Sequence, residues 1–145
     1  MTRLIKLVLI KALEFTLLAL WLLGSIGCGV ANSQRYSFDV TDSTFESLVL
    51  KADVPVLVMF YKPTCSHCQA MLQPVEDLAR DMSDVLKVAR LSLKENPETT
   101  LTYGVFGVPT FIIFSGGAIV SRTSGEMPEA NLYEWVRDSL HASHD

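Results

Sequence analysis

Two cysteines three residues apart, with a histidine between them, stand at Cys65 and Cys68 in the stretch KPTCSHCQ, residues 62–69. Such a pair can ligate a metal, close a structural disulfide or exchange electrons through thiol–disulfide chemistry. Structural zinc usually takes four nitrogen or sulfur ligands. This chain has no second Cys-x-x-Cys, and its other histidines, His141 and His144, fall in the C-terminal tail, so no metal is expected, and no cofactor. The pair follows the apolar run Val54 to Tyr61 and precedes a stretch of helical period, which places it where a buried strand gives way to a helix. There, free backbone N–H groups and the helix dipole stabilise an anion. A thiolate at Cys65 would be favoured over the thiol and nucleophilic near neutral pH. Cys68, one turn deeper on the same side, could attack a mixed disulfide formed at Cys65. His67 offers a positive charge beside the thiolate and Ser66 a hydroxyl donor. Lys62 either adds positive potential or is simply solvated.

The elements that must hold this pair are legible in the pattern on either side. Tyr36 to Val40 alternates apolar and polar residues and reads as an edge strand. Ser43-Thr44-Phe45-Glu46 has capping-box spacing and opens a helix ending near Lys51. The unbroken apolar run Val54 to Tyr61 suits a strand buried on both faces. After Cys65, Met71, Leu72, Val75, Leu78, Ala79 and Met82 describe one core-facing helical stripe, with Pro74 inside it as a source of kinking. Val85 to Leu93 is the next strand. Asn96-Pro97 supplies an N-cap and a first-turn proline for a short helix that Gly104 stops. Pro109 to Phe114 and Ala118 to Thr123 flank Ser115-Gly116-Gly117 as a hairpin. Pro128 opens a last helix through Leu140, with Leu132, Trp135, Val136 and Leu140 facing inward. The order β-α-β-α-β-α-β-β-α implies an α/β fold: parallel strands where helices connect them, a final antiparallel hairpin, and a mixed sheet covered on both faces. Tyr61 and Trp135 read as core or rim aromatics.

The N-terminal segment is of another kind. Arg3, Lys6 and Lys11 precede an uncharged run, Phe15 to Gly27, which small residues follow. A basic start, a short apolar core and small residues form an export signal. The run alone is too short for a membrane span, which needs roughly 20 residues. Extending it back to Leu4 gives the length only by placing Lys6, Lys11 and Glu14 in or near the membrane. Three endings stand open: cleavage after Ala31 that frees residues 32–145, lipid attachment at Cys28, or retention as a membrane anchor. The bacterial lipoprotein pattern that Cys28 resembles normally has a leucine-like residue where Ser25 stands. In each case residues 1–31 serve export or anchoring, and the domain over 32–145 lies outside the cytoplasmic membrane, as in a bacterial periplasm. Residues 29–145 carry nine Lys and Arg against fifteen Asp and Glu, spread along the chain; this argues for solubility and against nucleic-acid binding. Only Cys65 and Cys68 remain there, too few for the disulfide framework of a small secreted scaffold.

Residues 36–140 resemble the thioredoxin family nearly end to end. The resemblance is carried by the strand VPVLVMFY, the Cys-x-x-Cys, then ENP, YGVFGVPT, the SGG turn and Gly125 before the final helix. It implies a thioredoxin fold, a redox-active Cys65–Cys68 couple, a cis peptide bond at Pro109 packed opposite Cys65, and a Val108 backbone offered to an extended substrate segment. Departures from the family pattern matter as much. Thioredoxins usually carry Trp-Cys-Gly-Pro-Cys where this chain has Thr64-Cys65-Ser66-His67-Cys68. A histidine before the second cysteine is similar to protein disulfide isomerase and to periplasmic disulfide oxidants, where it makes the disulfide more oxidising. The buried aspartate of the preceding strand is replaced by Met59, and Arg90 stands where the family has a lysine near it. Pro74 comes one residue later than the family's helix proline. The resemblance and the N-terminal segment together imply an extracytoplasmic thiol–disulfide oxidoreductase that exchanges electrons with envelope proteins and with a membrane or soluble redox partner. The direction, reduction against oxidation or isomerisation, stays open. The rival is a non-catalytic binding module with a structural disulfide.

Overall fold

The computed structural model describes residues 35–142. Cys28, His144 and the 31/32 boundary lie outside the described residues. Nine elements succeed one another in chain order: β1 (Phe38–Asp39), α1 (Glu46–Leu50), β2 (Val56–Tyr61), α2 (Ser66–Asp81), β3 (Lys87–Ser92), α3 (Pro97–Thr102), β4 (Thr110–Ser115), β5 (Ala118–Ser124) and α4 (Glu129–Ala142). One five-stranded sheet runs β1-β3-β2-β4-β5. The pairs β1–β3 and β2–β3 are parallel, and β2–β4 and β4–β5 antiparallel. This is the thioredoxin fold, a mixed sheet flanked by helices. Among the described residues no helix is long and apolar enough to cross a membrane.

Strand alternation explains why β2 is apolar throughout. Leu57 and Met59 point to one face and pack with Met71, Val75 and Leu78 of α2 and Leu132 and Val136 of α4. Val56, Val58 and Phe60 point to the other and pack with Phe45, Val49 and Val105. Both faces are covered, which is why the run is apolar on both. In α4, Leu132 and Val136 are fully buried while Trp135 and Leu140 are half-buried. The hairpin closes through Gly116 and Gly117 at φ 56° and 82°, a pair of left-handed positions that glycine takes without strain.

Local details depart from the sequence expectations in three places. The first helix is a single π-helical turn, with Lys51 N–H donating to the Glu46 carbonyl at 2.9 Å. Its start is fixed two residues before Ser43, where the Thr41 backbone N–H donates to Thr44 Oγ1 at 2.9 Å. The Glu46 carboxylate pairs with Lys51 at 2.7 Å instead of closing a capping box. Asn96 does not cap α3 with its side chain. Asp42 does so from a distant loop, accepting from the N–H groups of Glu98 (3.1 Å) and Thr99 (2.9 Å). Asn96 returns the contact, accepting from the Asp42 N–H at 2.8 Å. A carboxylate at a helix N-terminus has a better charge match with the dipole than an amide, which accounts for the exchange of roles.

Candidate dithiol site

Cys65 is the N-cap of α2, with extended backbone (φ −87°, ψ 117°) and its Sγ accepting from the Cys68 N–H at 3.4 Å. The turn before it is held from both ends. Cys65 N–H donates to the Lys62 carbonyl at 3.1 Å, and Gln69 Nε2 reaches back to the Pro63 carbonyl at 2.8 Å. Gln69 is not singled out by the sequence, although a glutamine in the first turn after a proline-containing loop is its natural clamp. Both cysteines are free thiols; Cys65 is half-buried at the rim and Cys68 is 1% exposed in the core with Met59 and Met71.

Their environments drive their acidities apart. The Cys68 thiol donates toward Cys65, and the N–H groups of Cys68 and His67 with the charge of Lys62 add to it. Together these hold the Cys65 thiol below its ordinary value. Burial, and then the hydrogen bond given to Cys65, push the Cys68 thiol up to about 11. The result is one sulfur disposed to be an anion at the surface and one kept neutral beneath it.

Opposite the pair, the Val108–Pro109 peptide bond is cis. The Val108 carbonyl oxygen lies 3.9 Å from Cys65 Sγ, within reach of the thiol proton. Pro109 is buried, and its carbonyl accepts from the Gly125 N–H at 2.8 Å. Gly125 has φ 96°, a left-handed backbone that favours glycine. Thr110 Oγ1 donates to the Gly107 carbonyl at 2.7 Å, so the loop is fixed on both sides of the proline.

The structure thus brings Cys65, Cys68, Val108 and Pro109 together. Ser66 is exposed at the first helical position. His67 behaves otherwise than its spacing predicts. Its backbone N–H contributes at Cys65, but its imidazole crosses to the loop before α4, where Nδ1 lies 2.5 Å from Glu126 Oε2. Glu126, adjoining Gly125, carries no signal of this role in the sequence. Arg90 likewise has its own partner: its Nη2 meets Asp39 Oδ1 at 3.0 Å on the neighbouring strand.

A buried thiol thus lies below a rim thiol at the mouth of a helix, facing the Val108–Pro109 loop. The thioredoxin family model matches residues 37–138, and the chain belongs to the thioredoxin family. A thioredoxin of Rhodospirillum rubrum is 40% identical over 101 residues, covering 70% of this chain and 97% of that protein. Thioredoxin 1 of Nostoc sp. is 38% identical over 101 residues, covering 70% and 94%. The M-type chloroplastic thioredoxin of Chlamydomonas reinhardtii is 34% identical over 102 residues, covering 70% and 73%.

Proposed function

We propose that the protein is an extracytoplasmic thiol–disulfide oxidoreductase working through the Cys65/Cys68 couple on thiol or disulfide proteins of the cell envelope. One observation carries the reading: the rim sulfur of Cys65 caps α2, accepts from the N–H of the buried Cys68 and lies 3.9 Å from the Val108 carbonyl oxygen. The Cys65 thiolate attacks a partner disulfide, forming a mixed disulfide and releasing one partner thiolate, which takes a proton. Cys68 then loses its proton and attacks Cys65 Sγ, closing the Cys65–Cys68 disulfide and releasing the second partner thiol. Two electrons and two protons pass to the partner; the reverse sequence oxidises a partner dithiol. Val108 and Pro109 line the groove that receives the partner chain. The helix N-terminus and the Cys68 thiol stabilise the Cys65 thiolate, while the His67 side chain is committed to Glu126. The export setting rests on Arg3, Lys6 and Lys11 before the apolar run, with cleavage, lipidation at Cys28 and anchoring as its three endings.

Cys65→Ser should abolish exchange, and Cys68→Ser should accumulate mixed disulfides with envelope proteins in cells. Retained activity in the first variant with nothing trapped by the second overturns the mechanism. If, in addition, the disulfide resists dithiothreitol and Cys65 titrates like a free thiol, the chain is a binding module. The reduction potential sets the direction. A value near the thioredoxin level of about −270 mV marks a reductase, and one well above it an oxidant or isomerase.

A further inference from the structure

Two grooves of different character flank Cys65. The first, ≈ 640 Å³, is lined by His67, Val108, Pro109, Glu126 and Met127 among others, with the imidazole–carboxylate pair on its rim. The second, ≈ 730 Å³, is lined by Lys62, Pro63 and Thr64, which lead into Cys65, and by Leu93, Lys94 and Phe106 among others. Phe106 is 85% exposed, the most exposed large apolar residue of the described chain. Its exposure is built in. Arg122 donates to the carbonyls of Tyr103 (2.7 Å) and Gly104 (3.0 Å), Val105 N–H donates to the Thr100 carbonyl (2.9 Å), and Thr110 holds the carbonyl of Gly107. A loop braced at both ends thus presents an aromatic ring to solvent in the groove that the turn leading into Cys65 also lines, at the expense of the burial that stabilises other phenylalanines. The lip is basic for its surroundings. Lys62 and Lys94 stand against Glu95 alone, in a region where fifteen acidic residues outnumber nine basic ones.

We propose that this second groove is the specificity subsite for the partner protein, resting on the dithiol-exchange reading above. Its occupant is an extended segment flanking the partner's reactive cysteine. A large apolar side chain of that segment packs against Phe106, Leu93 and Pro63, and a neighbouring carboxylate meets the lip formed by Lys62 and Lys94. The partners selected are then acidic and apolar next to the cysteine.

The test uses the full chain, reduced, and short peptides whose single cysteine is disulfide-linked to 5-thio-2-nitrobenzoate. Release of that coloured thiolate reports the second-order rate. A peptide with Leu-Asp beside its cysteine should react about fivefold faster than one with Leu-Lys, by the sign and size of surface charge effects. It should also outpace Ala-Asp about fivefold, through the apolar contact. Lys94→Glu should bring the Asp/Lys ratio to about one or below, and Phe106→Ala should do so for the Leu/Ala ratio. Each ratio is internal to one variant, so partial loss of folded protein cancels. Ratios near one in the unaltered chain, or ratios that survive both substitutions, overturn the subsite. Free 5,5′-dithiobis(2-nitrobenzoate) separates the subsite from the exchange chemistry. If it reacts at Cys65 while peptides show no preference, only the subsite fails; if it too is inert, the exchange reading falls with it.

Discussion

The face of the sheet beneath α2 and α4 and the face beneath α1 and α3 come from the same strands by simple alternation, yet they are filled differently. The first collects Met59 and Met71 in its core, Met82 and Met127 at its margin, and both thiols; every methionine after residue 1 lies on this side. On the second, Phe45, Tyr103 and Phe114 lock together with ring centroids 5.0–5.4 Å apart, two of the three contacts edge-on. Methionine is unbranched, polarisable and adaptable. On the proposed function, it suits a surrounding that must hold Cys68 first as a thiol and then as half of a disulfide. Aromatic contacts of fixed geometry suit the face that must not move. The molecule separates a yielding side, which on the proposed function carries the chemistry, from a stiff side that carries the fold.

Substitution at the stiff side should show the largest effect. Phe114→Ala removes a fully buried ring and both its edge contacts, and should cost about 3–5 kcal/mol in urea unfolding. Met71→Leu, a volume-conserving change on the yielding side, should cost less than about 1.5 kcal/mol. Equal losses at the two sites would erase the distinction. A smaller effect is due at the edge of the stiff side, where Asp42→Ala unties the α3 cap. A loss of about 1 kcal/mol is expected. Asp42→Asn, which keeps an acceptor, should recover most of it.

Period and spacing made the scaffold readable before the structure. The run at 54–61 read as a strand covered on both sides, and the stripe from Met71 to Met82 as a helix over a core. Cys65 and Cys68 were readable for the same local reason, since a strand-to-helix junction fixes what three residues of separation mean. What escaped was contact between distant segments. Glu126 lies 59 residues from His67, and nothing near the histidine announces that its ring will be drawn across the groove. Asp42 is 57 residues from Thr99 and displaced the locally obvious Asn96. Phe106 was visible as an apolar residue in a glycine-bounded loop, but its exposure depends on Arg122, 18 residues beyond Gly104. Local pattern placed the two cysteines at the start of α2; tertiary crossings decided how their surroundings are charged.

The subtlest effect belongs to the yielding side and distinguishes its two sulfurs by pH. In the reduced protein the hydrogen bond from Cys68 holds the folded Cys65 thiol below the free-thiol value. Between those two points the unfolded chain holds a proton that the folded chain has lost, so stability rises with pH. Cys68 has the opposite sign. Its folded value near 11 means that above about 8.5 the unfolded chain has lost a proton the folded chain keeps, and stability falls with pH. The reduced fold should therefore be most stable, relative to the disulfide form, close to the free-thiol value. Subtracting the disulfide form removes the contribution of Tyr133, itself pushed up to about 12 by burial and its bond to Asp81. Urea midpoints of the two redox forms across pH 6–10 should give a difference curve with a maximum. Each single-cysteine variant is compared with the disulfide form of the unaltered chain, and Cys65→Ser should erase the rising limb. Cys68→Ser, which retains a hydroxyl to donate to Cys65, should erase the falling limb and leave the rise. A flat difference curve would mean that the two thiols share one environment, and the contrast between rim and core sulfur would have no energetic content.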